Sequence, residues 1–286
     1  KPENLHLREY QRNIIDDMEK ILLKNNKVFL ELATGGGKSF IVYNLFKRLK
    51  YDFIIIFSPR TKINKQNVSN KYLKILNNET TIYHTSSIRE SYILDIDNKS
   101  IKILVSCVQS LQKVHKIILA NNLKNIVIWF DEAHHTVENW SRLKEKTDEV
   151  KFYLKDNERI KYRIYTSASP NSKTLTSKTD IFGIHYKNIS VKQLIDEKWL
   201  CNLTPYVYHT DMKNDVEILD FILKNFDKNY GLSFHNKRKN AKNLFEIHYK
   251  KFKKGDTQIK PFLLLGDDYQ KPENCETFFL SLEKYQ

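Results

Sequence analysis

Apolar residues recur along this chain in short, almost unbroken runs, separated by stretches with helical spacing. Val28-Phe29-Leu30, Phe53-Ile54-Ile55-Ile56-Phe57, Ile101-Lys102-Ile103-Leu104-Val105, Asn125-Ile126-Val127-Ile128-Trp129-Phe130 and Arg163-Ile164-Tyr165-Thr166 read as strands. Runs that are apolar on both faces suit strands buried between two layers, as in a parallel sheet. Between them, Ile14, Ile15, Met18, Ile21 and Leu22 share one helical face, with Leu5 to Gln11 preceding the helix. Ile41, Val42, Leu45, Phe46 and Leu49 share another. Strands alternating with helices imply crossover connections and an α/β fold with helices on both faces of the sheet. Ligands of such sheets bind at the carboxyl ends of the strands.

A second domain is expected after Pro205, giving domains of 1–205 and 206–286. Its pattern predicts a helix over 218–226, a strand over Gly231–Asn236, a basic amphipathic helix over Asn240–Lys254 and a strand over Phe262–Gly266. The run Lys250-Lys251-Phe252-Lys253-Lys254 reads as a solvated face of that helix.

Two of the strand ends carry chemistry. Val28–Glu31 leads into Leu32-Ala33-Thr34-Gly35-Gly36-Gly37-Lys38-Ser39 and then a helix. Three successive glycines let backbone N–H groups turn toward one point, where the helix N-terminus also favours an anion. Lys38 adds a mobile cation, and Ser39 adds a hydroxyl able to ligate Mg²⁺. This is a phosphate-binding loop of the Walker A type, with Leu32 where the usual pattern begins with Gly. Ile126–Phe130 ends in Asp131-Glu132-Ala133-His134-His135. A carboxylate at that strand end is what the Mg²⁺ of a bound nucleotide needs, and Glu132 is placed to orient or deprotonate water.

Together these motifs resemble those of superfamily 2 helicases and translocases, nucleic-acid-stimulated ATPases. The doubled histidine and the leading Leu7-Arg8-Glu9-Tyr10-Gln11 are similar to the branch holding the motor subunits of type I and type III restriction enzymes and the double-stranded-DNA translocases of repair and transcription. The resemblance spans roughly residues 5 to 270 and implies a RecA-like domain followed by an incomplete second one. It implies ATP and Mg²⁺ as cofactors, with Arg8, Gln11, Thr34, Gly35, Gly36, Gly37, Lys38 and Ser39 at the nucleotide. Gln11 is the expected adenine contact, since an amide can donate and accept at once. Ser39 and Asp131 are the expected Mg²⁺ ligands, and Lys38, Asp131, Glu132 and His134 the catalytic set. Ser58, Arg60, Thr61, Ser106 and Gln109 fall in segments that touch the nucleic-acid backbone in that family. Ser167-Ala168-Ser169 is similar to the Ser-Ala-Thr motif that couples hydrolysis to strand engagement, with Ser169 in place of Thr.

Charge and cysteine usage bear on the partner. Of 286 residues, 48 are Lys or Arg and 34 Asp or Glu, a net charge of +14 that suits a polyanion. Cys107, Cys201 and Cys275 form neither a disulfide framework nor a zinc pattern, which fits a reducing, intracellular setting. No apolar run reaches bilayer-spanning length, so no membrane partner is expected. Residues 267–286 contain no Arg, whereas the family's second motor domain ends with arginines, one reaching the γ-phosphate. The expectation is an ATP-dependent motor on nucleic acid, DNA before RNA, or its N-terminal portion, hydrolysing weakly until a further domain or subunit supplies that arginine. An ATP-gated nucleic-acid-binding subunit without translocation and a small-molecule kinase are the competing readings.

Overall fold

The computed structural model describes residues 6–76, 79–95, 100–135, 148–171, 173, 178–201, 217, 221, 224 and 238–256. Residues 1–203 and 204–286 form two compact units. In the first unit lies a seven-stranded sheet, β1 (Lys27–Glu31), β2 (Phe53–Ser58), β3 (Thr80–His84), β4 (Ile101–Cys107), β5 (Ile126–Phe130), β6 (Ile160–Ser167) and β7 (Ile184–Tyr186). The strands are parallel throughout and run in the order β3-β4-β2-β5-β6-β1-β7.

The alternation inside each strand sorts its residues into two cores. Val28, Leu30, Ile54, Ile56, Val127, Trp129 and Ile164 face one side and pack with α1 (Glu9–Asn25), α2 (Lys38–Arg48) and the helix Asn70–Leu76. Phe29, Phe53, Ile55, Phe57, Ile128, Phe130 and Tyr165 face the other, against the helices Leu111–Ala120 and Asp148–Leu154. On that second face Phe57, Phe130, Tyr165 and Phe29 form a ladder across β2, β5, β6 and β1. Successive ring centroids are 5.2, 5.2 and 6.1 Å apart, with planes within 14°. Offset rings at such separations add cross-strand attraction to their burial. The ladder fixes the register of the four central strands, and those are the strands whose ends carry the motifs.

Helices on both faces of a parallel sheet were the expected architecture, and the RecA-like core has it. Two strands were not predicted. β3 and β7 sit at the edges, where half-buried residues such as Thr80 and Thr81 and the exposed Ile184 give no continuous apolar run. α1 begins at Glu9, so Tyr10 and Gln11 lie in its first turn instead of preceding it. In the second unit the described helix Arg238–Lys254 covers the predicted Asn240–Lys254. The predicted strands at Gly231–Asn236 and Phe262–Gly266 lie outside the described residues, as does most of the predicted helix over 218–226.

A charged side chain is buried in the first unit, away from the motifs. Arg163, inaccessible on β6, donates from Nε to the Tyr153 carbonyl at 2.8 Å and from Nη2 to the Lys155 carbonyl. Its Nη1 lies 3.4 Å from Asp156, which also pairs with Lys27 Nζ at 2.9 Å. Arg163→Met keeps much of the volume but strips the donors from these acceptors. Asp156 is largely exposed and keeps Lys27, so the loss falls on the two carbonyls, and leaving a buried acceptor without its donor costs about 1–3 kcal/mol. A urea midpoint lowered accordingly is the expected result; an unchanged midpoint would show that apolar volume suffices there.

Candidate functional site

The phosphate-loop sequence forms a turn between β1 and α2. Gly35 and Gly37 take φ of +83° and +91°, left-handed values that glycine adopts without strain. A Cβ on Gly37 would stand 2.5 Å from Gln11 Nε2, so any other residue there would also push the Gln11 amide aside. Leu32 is buried beneath the loop, where a Cβ on Gly36 would meet its Cγ at 2.8 Å. That contact explains an apolar residue at a position usually held by Gly: Leu32 is core, and the loop folds over it. Lys38 opens α2 with its ammonium 3.3 Å from the Leu32 carbonyl.

α1 is tied to the same loop. Tyr10 Oη donates to the Gly36 carbonyl at 2.8 Å, and Gln11 Nε2 donates to it at 3.2 Å. Gln11 Oε1 accepts from the Arg8 backbone N–H at 3.1 Å. Gln11 Nε2 also lies 3.4 Å from Tyr10 Oη, so both amide hydrogens have partners while Oε1 keeps a second lone pair; a base can accept from Gln11 by displacing one of the Nε2 bonds.

Asp131 ends β5 and is almost wholly buried. Oδ1 accepts from Thr166 Oγ1 and from the Glu132 N–H, each at 3.0 Å, and Oδ2 accepts from Asn67 Nδ2 at 3.1 Å. Thr166 Oγ1 in turn accepts from Trp129 Nε1 at 2.9 Å, which directs its own proton to the carboxylate. An ionised carboxylate offers about four acceptor positions. Three are filled, so one remains for an ion or an ion-bound water. Glu132 has φ of +51°, uncommon for a residue with a side chain, and its Oε2 is 3.4 Å from His134 Nδ1.

β6 lies between β5 and β1 and joins the two motifs. Besides the Thr166 bond to Asp131, the Ser167 carbonyl accepts from the Leu32 N–H at 3.0 Å. Ser167 Oγ is 2.7 Å from His134 Nδ1 and accepts from the Ser169 N–H at 3.1 Å. One strand end therefore touches the start of the phosphate loop, the acidic motif and the Ser-Ala-Ser turn. Thr166→Val would leave the buried Trp129 N–H and one Asp131 lone pair without a partner. It is expected to cost about 1–3 kcal/mol, read as a lowered melting temperature that Thr166→Ser restores.

The other expected residues divide by exposure. Thr34, Arg60, Thr61, Gln109 and Ser169 are exposed. Ser58 and Ser106 are buried: Ser58 Oγ donates to Asn64 Oδ1 at 2.6 Å, and Ser106 Oγ lies 3.0 Å from the Cys107 carbonyl. Their hydroxyls brace the turns that display Arg60, Thr61 and Gln109. Sequence reasoning placed Tyr10 near the nucleotide without giving it a partner, and missed Asn67 and Thr166. Asn67 is held by Tyr43, whose hydroxyl donates to the Asn67 carbonyl at 2.6 Å and whose pKa is raised by burial. Thr166 adjoins a named motif, but nothing near Asn67 in sequence marks it.

Oxygen donors, a single carboxylate and a loop built for phosphate fit Mg²⁺, which keeps several waters and uses few protein ligands. Among the described residues no cluster of three or more His, Cys, Asp or Glu forms a metal site of its own. No helix among them is long and apolar enough to cross a membrane.

The family profile described as "Type III restriction enzyme, res subunit" matches residues 4–172. The protein "Putative ATP-dependent helicase IRC3" of Saccharomyces cerevisiae is 25% identical over 292 residues, covering 96% of this chain and 39% of the yeast protein. A nuclease-deletion mutant of the type ISP restriction-modification enzyme LlaGI, solved with a DNA substrate mimic, superposes with a TM-score of 0.51 at 16% identity. That alignment covers 87% of this chain and 24% of LlaGI, and shows likeness of fold. The UvsW helicase from bacteriophage T4 gives a TM-score of 0.44 at 14% identity, over 65% of this chain and 62% of that one.

Proposed function

Because the chain belongs to the family of the type III restriction enzyme res subunit, a helicase superfamily 2 family, we propose that it binds and hydrolyses ATP to drive movement on nucleic acid, with DNA preferred over RNA. The observation that carries this is the carboxyl end of β6. There Thr166 and Ser167 hydrogen-bond the acidic motif, the phosphate loop and the Ser-Ala-Ser turn at once. A nucleotide-dependent shift in any one of them is felt by the others. The restriction-enzyme family and the net charge of +14 support DNA as the partner.

In this reading Lys38 and the N–H groups of residues 34–37 hold the β- and γ-phosphates, and Arg8 and Gln11 lie toward the base. Ser39 and Asp131 would hold Mg²⁺, which when bound neutralises charge developing on the phosphate oxygens. Asp131-Glu132-Ala133-His134 then acts as a DEAH-type Walker B segment. Glu132 orients the attacking water, and His134 passes the state of Glu132 to Ser167. Arg60, Thr61 and Gln109 contact the strand backbone, which gives affinity without sequence preference, with Ser58 and Ser106 supporting them. Residues 1–205 form the first motor domain and 206–286 part of a second. We further propose that an arginine from another domain or subunit completes the site, so that hydrolysis by this chain is slow.

The test is linkage between the two ligands. Affinity for a double-stranded DNA oligonucleotide, followed by anisotropy, is expected to change several-fold when saturating Mg²⁺ and a non-hydrolysable ATP analogue are added. Thermodynamic reciprocity requires DNA to change nucleotide affinity by the same factor. ATP binding that is indifferent to DNA and RNA alike would overturn the motor assignment in favour of small-molecule chemistry.

A further inference from the structure

Residues 194–200 form a strap whose purpose the site described above leaves unexplained. The strap is rooted in the core by Leu194, fully buried, whose carbonyl accepts from the N–H groups of both Trp199 and Leu200 at 2.8 and 3.0 Å. Lys198 between them is left-handed, with φ of +62°, and turns the chain back on itself. The result is that Leu200 packs against the phosphate loop, where a Cβ on Gly35 would stand 2.9 Å from its Cδ2. Trp199 meanwhile lies over Arg8, with the guanidinium carbon 4.4 Å from the ring centroid. Tyr10 is tilted beside it at 6.5 Å.

Arg8 is itself linked to the loop. Its Nη1 donates to Tyr10 Oη at 3.3 Å, and that hydroxyl donates to the Gly36 carbonyl. So a guanidinium and the indole it lies over are fixed to the phosphate loop by two routes. Yet Trp199 remains 42% exposed. Burying a tryptophan is favourable, and leaving one half-open beside a phosphate loop calls for a ligand with a flat face. A nucleobase is that ligand: every base has a π-face, and both indole and guanidinium stack on it.

We propose that Trp199, with Arg8 against it, is the stacking surface for the base of the bound nucleotide. This rests on the ATP-site reading and adds to it a division of labour. Stacking gives affinity to any base, whereas Gln11 discriminates by exchanging its bond to Gly36 for one to the base edge. The strap then reports base occupancy to the loop through Leu200 and Gly35.

The test compares Mg²⁺-ATP with Mg²⁺-tripolyphosphate, which has the phosphates and no base. Calorimetry on wild type, Trp199→Ala and Trp199→Phe is expected to show ATP affinity about 10-fold weaker in the alanine variant. Tripolyphosphate affinity should stay within about twofold, and phenylalanine should restore most of the ATP affinity. Equal weakening of both ligands would reduce the strap to a brace for the loop, and an unchanged ATP affinity would remove Trp199 from the base site; either overturns the proposal. Tryptophan fluorescence of a Trp140→Phe chain is a second readout that leaves Trp199 in place, since Trp129 is buried and Trp199 is then the one other indole. Quenching by ATP but not by tripolyphosphate supports the proposal, and an equal response to both overturns it. If wild type binds neither ligand, the ATP-site reading itself falls.

Discussion

Lys38→Ala should abolish measurable ATP binding while leaving the fold intact. The ammonium lies at the start of α2 and, among the described residues, is bonded to the Leu32 carbonyl at 3.3 Å, a long and weak bond. It belongs to neither hydrophobic core, so its removal is expected to change stability by no more than about 0.5 kcal/mol, as for other substitutions outside the core. The loss on the ligand side is much larger. Two charge-assisted hydrogen bonds to phosphate, at about 1.5–3 kcal/mol each, correspond to roughly 10²–10⁴ in affinity. Calorimetric titration with Mg²⁺-ATP and a thermal melt on the same preparation separate the two effects. A variant that melts like wild type and no longer binds ATP is the expected pair of results. Binding within twofold of wild type would mean that the glycine turn holds no triphosphate, and the nucleotide site would have to be sought elsewhere.

The phosphate loop is legible in the amino-acid sequence because its chemistry is local. Gly35, Gly36, Gly37, Lys38 and Ser39 are adjacent along the chain, and so are Asp131, Glu132 and His134. The buried strands are legible for the same reason, since each of β1, β2, β4, β5 and β6 has its apolar run within a few residues. What cannot be read is whatever joins distant segments. Asn67 reaches Asp131 across 64 positions and Tyr10 reaches Gly36 across 26. The Leu7–Gln11 run puts Tyr10 near the nucleotide but says nothing of its bond to Gly36, and no local signal marks Asn67. Leu32 departs from the usual loop pattern, and only its place beneath Gly36 shows it to be core.

Exposure is the other quantity that a motif does not carry. Ser58 and Ser106 have the small hydroxyls suited to phosphate, and their segments sit at strand ends. In the fold, however, those hydroxyls are used up inside the turns. The surface they support belongs to Arg60, Thr61 and Gln109. The edge strands β3 and β7 were missed because an edge is half wet, and a half-wet strand of three to five residues lacks the continuous apolar run by which its neighbours were recognised. Arg163 shows the converse case. A charged residue inside a strand pattern reads as exposed, yet it is fully buried because three acceptors from the adjacent turn surround it.

Glu132→Gln is expected to bind ATP as wild type does and to hydrolyse it at least about 100-fold more slowly, the usual range for a lost general base. The substitution keeps the shape of the side chain and removes its charge. The backbone bond from residue 132 to Asp131 Oδ1 does not involve the side chain and should persist. Because unstimulated turnover is expected to be slow, the comparison is made with DNA present, by release of phosphate under single-turnover conditions. Undiminished turnover in this variant would remove Glu132 from the reaction. The backbone at this position supplies an independent check. Glu132 is left-handed, at φ +51°, and a residue other than glycine held there is strained by about 1–3 kcal/mol. Asparagine tolerates that region better, so Glu132→Asn should melt at a higher temperature than wild type, even though it gives up the 3.4 Å contact with His134. Its shorter, uncharged side chain should nonetheless abolish hydrolysis. Stability and turnover moving in opposite directions at one residue is what a strained catalytic position predicts. If Glu132→Asn instead melts lower, the contact with His134 outweighs the backbone strain, and Glu132 serves the fold at least as much as the reaction.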